Sequence, residues 1–173
     1  LGLEEEALAR AVEAESNETC AAWAAAALEI RRRRVAGLSD VHRTFESALE
    51  LQEGTAEYMG RSTIGTASDM ARLRESRGPA GIRWRCYETG AAIAVVLDRL
   101  LPSWKATLDA EPETTFEELL AAAIAGREVQ PATLPDDAAA AIAARARTEI
   151  AALVDGRAAL ENGFNLRGHR IVV

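Results

Sequence analysis

The sequence has little with which to grip nucleic acid or to cross a membrane. Its 20 basic residues are outnumbered by 27 acidic ones, for a net charge of −7. A surface of that sign repels phosphate backbones and anionic headgroups, so neither a nucleic-acid nor a membrane partner is expected. Only one of the basic residues, Lys105, is a lysine. The apolar stretch 90–97 falls far short of the ~20 residues a membrane span requires. Two cysteines, Cys20 and Cys86, are too few for a disulfide framework and lack C-x-x-C spacing. They read as buried thiols, with a single bridge between them left open. No signal peptide is evident, and the chain opens on Leu1 rather than Met. The expectation is a soluble piece of a longer protein, cytoplasmic or exported, with homo-oligomerisation left open.

Aromatic residues make up only 5% of the chain, whereas alanine occurs 37 times in 173 residues. Alanine is the best helix former and fills little volume, so its abundance predicts closely packed helices with few bulky anchors. The expected fold is all-α, one domain over 1–173, with five to six helices and a short C-terminal strand. A chain of this length buries roughly 70% of its unfolded surface and needs no staples.

Punctuation divides the chain into helical blocks. A first helix is predicted from Leu3 to Val35, ending on Arg31 to Arg34, cations suited to a helix C-terminus. Ser39 can cap a second helix reaching about Gly60, and the short connection predicts an antiparallel hairpin of the two. A Gly- and Ser-rich loop follows, with a short helix near Ser68 to Glu75. A third strong helix ends before Pro102, and Trp104 reads as a core or hairpin anchor. Thr114 with Glu117, or Thr115 with Glu118, makes a capping box for a helix reaching Ala125. An alanine-rich helix is predicted from Asp136 to Leu160, and the period change from Leu166 to Val173 suggests the strand.

The second helix carries Glu46, Glu50, Glu53 and Glu57 at steps of four, three and four. That spacing places four carboxylates on one face, where each like-charge neighbour costs about 0.2–0.5 kcal/mol if exposed. Compensation is therefore expected, either from Arg31 to Arg34 folded back by the hairpin or from a metal ion. His42 shares the face but lies ~16 Å along the helix from Glu53, too far to share one ion with it. Gly54 costs ~1 kcal/mol relative to alanine inside a helix, so something is expected to approach the backbone closely there.

Glu53-Gly54-Thr55-Ala56-Glu57-Tyr58 resembles the Glu-Gly-x-Ala-x-Tyr segment of the gluzincin metallopeptidases, especially the aminopeptidase group. Downstream, Tyr87-Glu88-Thr89-Gly90 and the apolar run after it resemble the Tyr-Glu-Lys-Gly helix of the same group, in the same order. The resemblance implies that Glu53 is the third ligand of a catalytic zinc. It also implies that Tyr87 stabilises the oxyanion formed from a peptide substrate, since a phenol donor supports negative charge without adding a competing charge.

Two departures stand against the family pattern. Thr89 occupies the lysine position, and the chain contains no H-E-x-x-H, its only histidines being His42 and His169. A catalytic zinc needs three protein ligands, so the resemblance implies either an upstream H-E-x-x-H segment, without which this chain is inactive, or a degenerate site. Glu50 and Glu57 flank Glu53 and are left without a role. The competing expectation is a non-catalytic helical interaction domain, its glutamate face paired to arginines or to a basic partner. Convergence of Glu53 and Tyr87 on one cleft separates the two.

Overall fold

The computed structural model describes residues 2–75 and 81–166, with the side chains of Ile82 and of 164–166 left aside. Among the described residues the fold is all-helical, with eight helices and no strand. They are α1 Gly2–Glu13, α2 Asn17–Val35, α3 Asp40–Ile64, α4 Ala71–Arg74, α5 Ile82–Leu100, α6 Trp104–Ala110, α7 Phe116–Ile124 and α8 Asp136–Leu166. The expected count of five to six is corrected at two places. The first predicted helix is broken between Glu13 and Asn17, where Ser16 adopts an extended backbone and its hydroxyl accepts the Thr19 amide at 3.0 Å. An internal N-cap of this kind starts a new helix without any glycine or proline to announce it. The second place is α6, a short helix starting two residues after Pro102. The expected C-terminal strand falls on 167–173, outside the described residues, and Leu166 is the last residue of α8.

Other local signals act as their chemistry requires. Ser39 caps α3 by accepting the His42 amide, and Gly65 ends it with a left-handed φ of 75°. Thr115 and Glu118 close a reciprocal capping box at the start of α7. Trp104 is 1% exposed and its indole Nε1 donates to Asp98 at 2.9 Å. No helix among the described residues is long and apolar enough to cross a membrane.

The core is built where alanine lets helices approach. Leu8 and Val12 of α1, Ala24, Ala27 and Leu28 of α2, Ala91 to Ala94 with Leu97 of α5, and Phe116, Leu119 and Leu120 of α7 form one buried cluster. The expected hairpin is not the main pairing. α1 packs on α2, and α3 packs chiefly on α5; α2 reaches α3 instead through long ionised side chains. Cys20 and Cys86 are both buried thiols and form no disulfide.

Candidate functional site

Two glycines set the site. A Cβ added to Gly54 of α3 would lie 2.4 Å from the Gly90 Cα of α5, and one added to Gly90 would lie 2.5 Å from the Glu50 carbonyl oxygen. The two helices therefore touch backbone to backbone, which no residue with a side chain permits at that spot. The close approach that Gly54 predicted from sequence is Gly90.

This contact brings together side chains one and three residues away. The Tyr87 hydroxyl lies beside the Glu53 carboxylate, with Arg83 close to both. The Glu53 carboxylate, as an acceptor within reach, is the main reason that the Tyr87 phenol is pushed above its ordinary range; desolvation and the carboxylate charge add to it, and Arg83 opposes them. The phenol thus keeps its proton and remains a donor at any ordinary pH. Glu53 is only a quarter exposed, and its nearest cation is the exposed Arg83 at 3.7 Å. Trp84 lies beside the pair, half-exposed, its ring 5.4 Å from that of Tyr87.

The other carboxylates of the α3 face are used elsewhere. Glu50, fully buried, accepts both terminal nitrogens of Arg31 at 2.6 and 2.5 Å, and also the Thr89 hydroxyl. Glu46 accepts Arg34 and Arg85. Glu4, from the start of α1, completes the cluster by accepting Arg31, Arg34 and Arg85 at 2.7 to 2.8 Å. Burial alone would raise the Glu4 carboxyl, but Arg31, Arg85 and Arg34 outweigh it and hold the group down to about 2. Glu57 and Glu88 share Arg61. Arg31 and Arg34 thus neutralise the upper end of the stripe, Arg61 the lower end, and Glu53 alone of the four faces the Tyr87 side.

His42 does not join this site. It is exposed at the far end of α3, with Nδ1 2.7 Å from the Ser39 hydroxyl, and Glu46 one turn on belongs to the arginine cluster. His169 lies outside the described residues. Among the described residues no group of three histidine, cysteine or acidic side chains is placed to hold a metal ion. Glu53 by itself does not fit a catalytic zinc, which requires two further protein ligands.

Comparison supplies no precedent. No family model, curated protein or solved structure matches this chain.

The residues that sequence reasoning missed are Glu4, Arg85 and Thr89. Thr89 stood out only as a departure from a family pattern, yet its hydroxyl bridges the buried Glu50 and the Arg85 carbonyl. Glu4 lies in a run of three glutamates that reads as an ordinary acidic first turn, and nothing local marks it as fully buried.

Proposed function

We propose that this chain is the helical part of a gluzincin-type zinc metallopeptidase, contributing Glu53 as the third metal ligand and Tyr87 as the donor to the substrate oxyanion. One observation carries the reading: two residues 34 apart in sequence, singled out by separate motif-like segments, come together beside the Gly54–Gly90 contact, where Glu53 pushes the Tyr87 phenol up. When bound, zinc would polarise the scissile carbonyl and activate water. The described residues do not hold zinc unaided, so the reading requires a histidine-bearing segment upstream of Leu1. What this chain supplies is orientation and a proton: Gly54 and Gly90 hold the two side chains together, and the raised Tyr87 phenol stays protonated to donate to an oxygen other than that of Glu53.

The test uses this chain alone and a longer form that carries the upstream segment the reading requires. Zinc titration of the chain alone is expected to show no saturable binding and no chelator-sensitive peptide hydrolysis. In the longer form, Glu53→Gln should lower the zinc content, whereas Tyr87→Phe should keep zinc and lose hydrolysis. Zinc content indifferent to Glu53→Gln, or zinc-dependent hydrolysis by the chain alone, would overturn the reading.

A second reading is favoured by the fate of the glutamate stripe. With Glu46, Glu50 and Glu57 held by arginines, the face serves as an internal ionic framework, and the domain would act through its surface rather than through catalysis.

A further inference from the structure

The faces of α3 are inverted relative to those of an ordinary amphipathic helix. Towards the molecule it presents Glu46, Glu50, Gly54, Tyr58 and Arg61; the last four are buried. Outward it presents Val41, Phe45, Ala48, Gln52, Ala56, Met59 and Thr63, every one exposed. Val41 is 77%, Phe45 64% and Met59 54% exposed. Steps of four, three, four, four, three and four keep these residues on one stripe, which is the geometry of a helix–helix seam. Polar residues went inward because the arginine cluster needs them, and the apolar ones were left facing out. A largely apolar stripe on an otherwise charged helix marks a contact surface.

The order of residues along the stripe says what covers it. Taken from Gln52 outward, the stripe reads nearly the same in both directions: Ala48 and Ala56, then Phe45 and Met59, then Val41 and Thr63. Two copies of α3 laid antiparallel about a two-fold axis through Gln52 would therefore match each residue with one of like size. Phe45 would meet Met59 of the other copy, a favourable sulfur–aromatic pair. The alanines would let the backbones approach on either side of the axis, and the two Gln52 amides, each both donor and acceptor, would satisfy one another. Self-complementarity of this kind is what a closed two-fold dimer requires.

We infer that this chain forms a homodimer through the outer face of α3. Between residues 41 and 63 the stripe is about 33 Å long and roughly 10 Å wide. With the flanking rows at Thr44, Leu49, Thr55 and Gly60 the two copies bury on the order of 1,000 Å², the lower edge of specific interfaces, so the dimer is weak and reversible. The inference is independent of the metallopeptidase reading, since it uses none of Glu53, Tyr87 or zinc.

Sedimentation equilibrium over a range of protein concentrations tests it. The average mass is expected to rise from 18.5 kDa towards twice that value, and Phe45→Glu to hold it at the monomer, with the far-UV spectrum unchanged because Phe45 is exposed. Cross-linking fixes the register without any destabilising charge. Gln52→Cys, on the axis, should form an intermolecular disulfide under mild oxidation; Ala48→Cys alone should not, whereas Ala48→Cys with Ala56→Cys should. A monomer at every concentration overturns the inference. So does a dimer that survives Phe45→Glu, which would point to another surface such as α8, and so does cross-linking of Ala48→Cys equal to that of Gln52→Cys.

Discussion

Replacing Gly54 by alanine adds one methyl group to a helix, and by propensity alone that change stabilises by ~1 kcal/mol. Here the methyl would stand 2.4 Å from the Gly90 Cα, 2.8 Å from its carbonyl carbon and 3.2 Å from the Ala91 nitrogen. All three are backbone atoms of another helix, so no rotamer change relieves the overlap. Restoring ordinary carbon–carbon contact at about 3.5–4.0 Å requires α3 and α5 to separate by at least ~1 Å. Overpacking of this kind costs typically 1–3 kcal/mol, and the separation also stretches the buried Glu50–Thr89 hydrogen bond, worth about 1 kcal/mol. The net expectation for Gly54→Ala is a loss of ~2 kcal/mol or more. Gly60, in the same helix, is the internal control, because a Cβ there meets nothing within 4 Å. Gly60→Ala should therefore gain ~0.5–1 kcal/mol. For a chain of this size each kcal/mol moves the Tm by ~2–4 °C, so the two variants should shift in opposite directions and differ by about 5 °C or more. Thermal and denaturant unfolding followed by circular dichroism measure this directly. Equal stability of Gly54→Ala and Gly60→Ala would refute the backbone-to-backbone contact, and the geometry of the candidate site with it.

Acid stability should depend on Glu4. Its carboxyl lies at about 2 in the fold against 4.5 as a free side chain, so it binds fewer protons folded than unfolded. That contribution, on the order of 3 kcal/mol, is fully present above pH ~4.5 and is lost as the pH falls towards 2. Glu4→Gln should therefore be destabilised by ~3–5 kcal/mol at neutral pH, because the buried Arg31 and Arg85 and the part-buried Arg34 lose a partner, and should show a flatter loss of stability between pH 4.5 and 2. Parallel urea titrations at several pH values check both statements. Tyr87 should titrate above an ordinary phenol, and Glu53→Gln should bring it back down by removing the carboxylate charge, as read by ultraviolet difference titration; an unchanged titration would place the two side chains apart.

The candidate site was legible in part because its two halves are local. Glu53-Gly54 and Tyr87-x-x-Gly90 each sit within one turn of a helix, so helical periodicity fixes which side chain accompanies which glycine. That Gly54 cost the helix propensity was the only sequence signal of the α3–α5 crossing, and it was sufficient to predict a close approach though not its partner. The arginine cluster shows the opposite case. The Arg31 to Arg34 run was one of two expected sources of compensation for the glutamate face, and Arg34 does pair with Glu46, but as part of a set that includes Glu4 and Arg85, 81 residues apart.

Helix class, most caps and the glutamate face follow from the sequence by itself, since each depends on neighbours three or four residues away. The break at Ser16 was missed because an N-cap hydroxyl inside an alanine-rich run leaves local propensity almost unchanged. Tertiary structure alone decided which face of α3 turns inward. Periodicity finds two faces, one acidic and one apolar, and burial of hydrophobic surface argues for the apolar one. The acidic face won because three arginines from α2 and α5, with Glu4 from α1, wait beneath it, and charges already withdrawn from water can be satisfied only by opposite charges. No window of sequence holds all those residues, so no local rule could have assigned the inward face, the Glu53–Tyr87 contact that it positions, or the apolar stripe left outside.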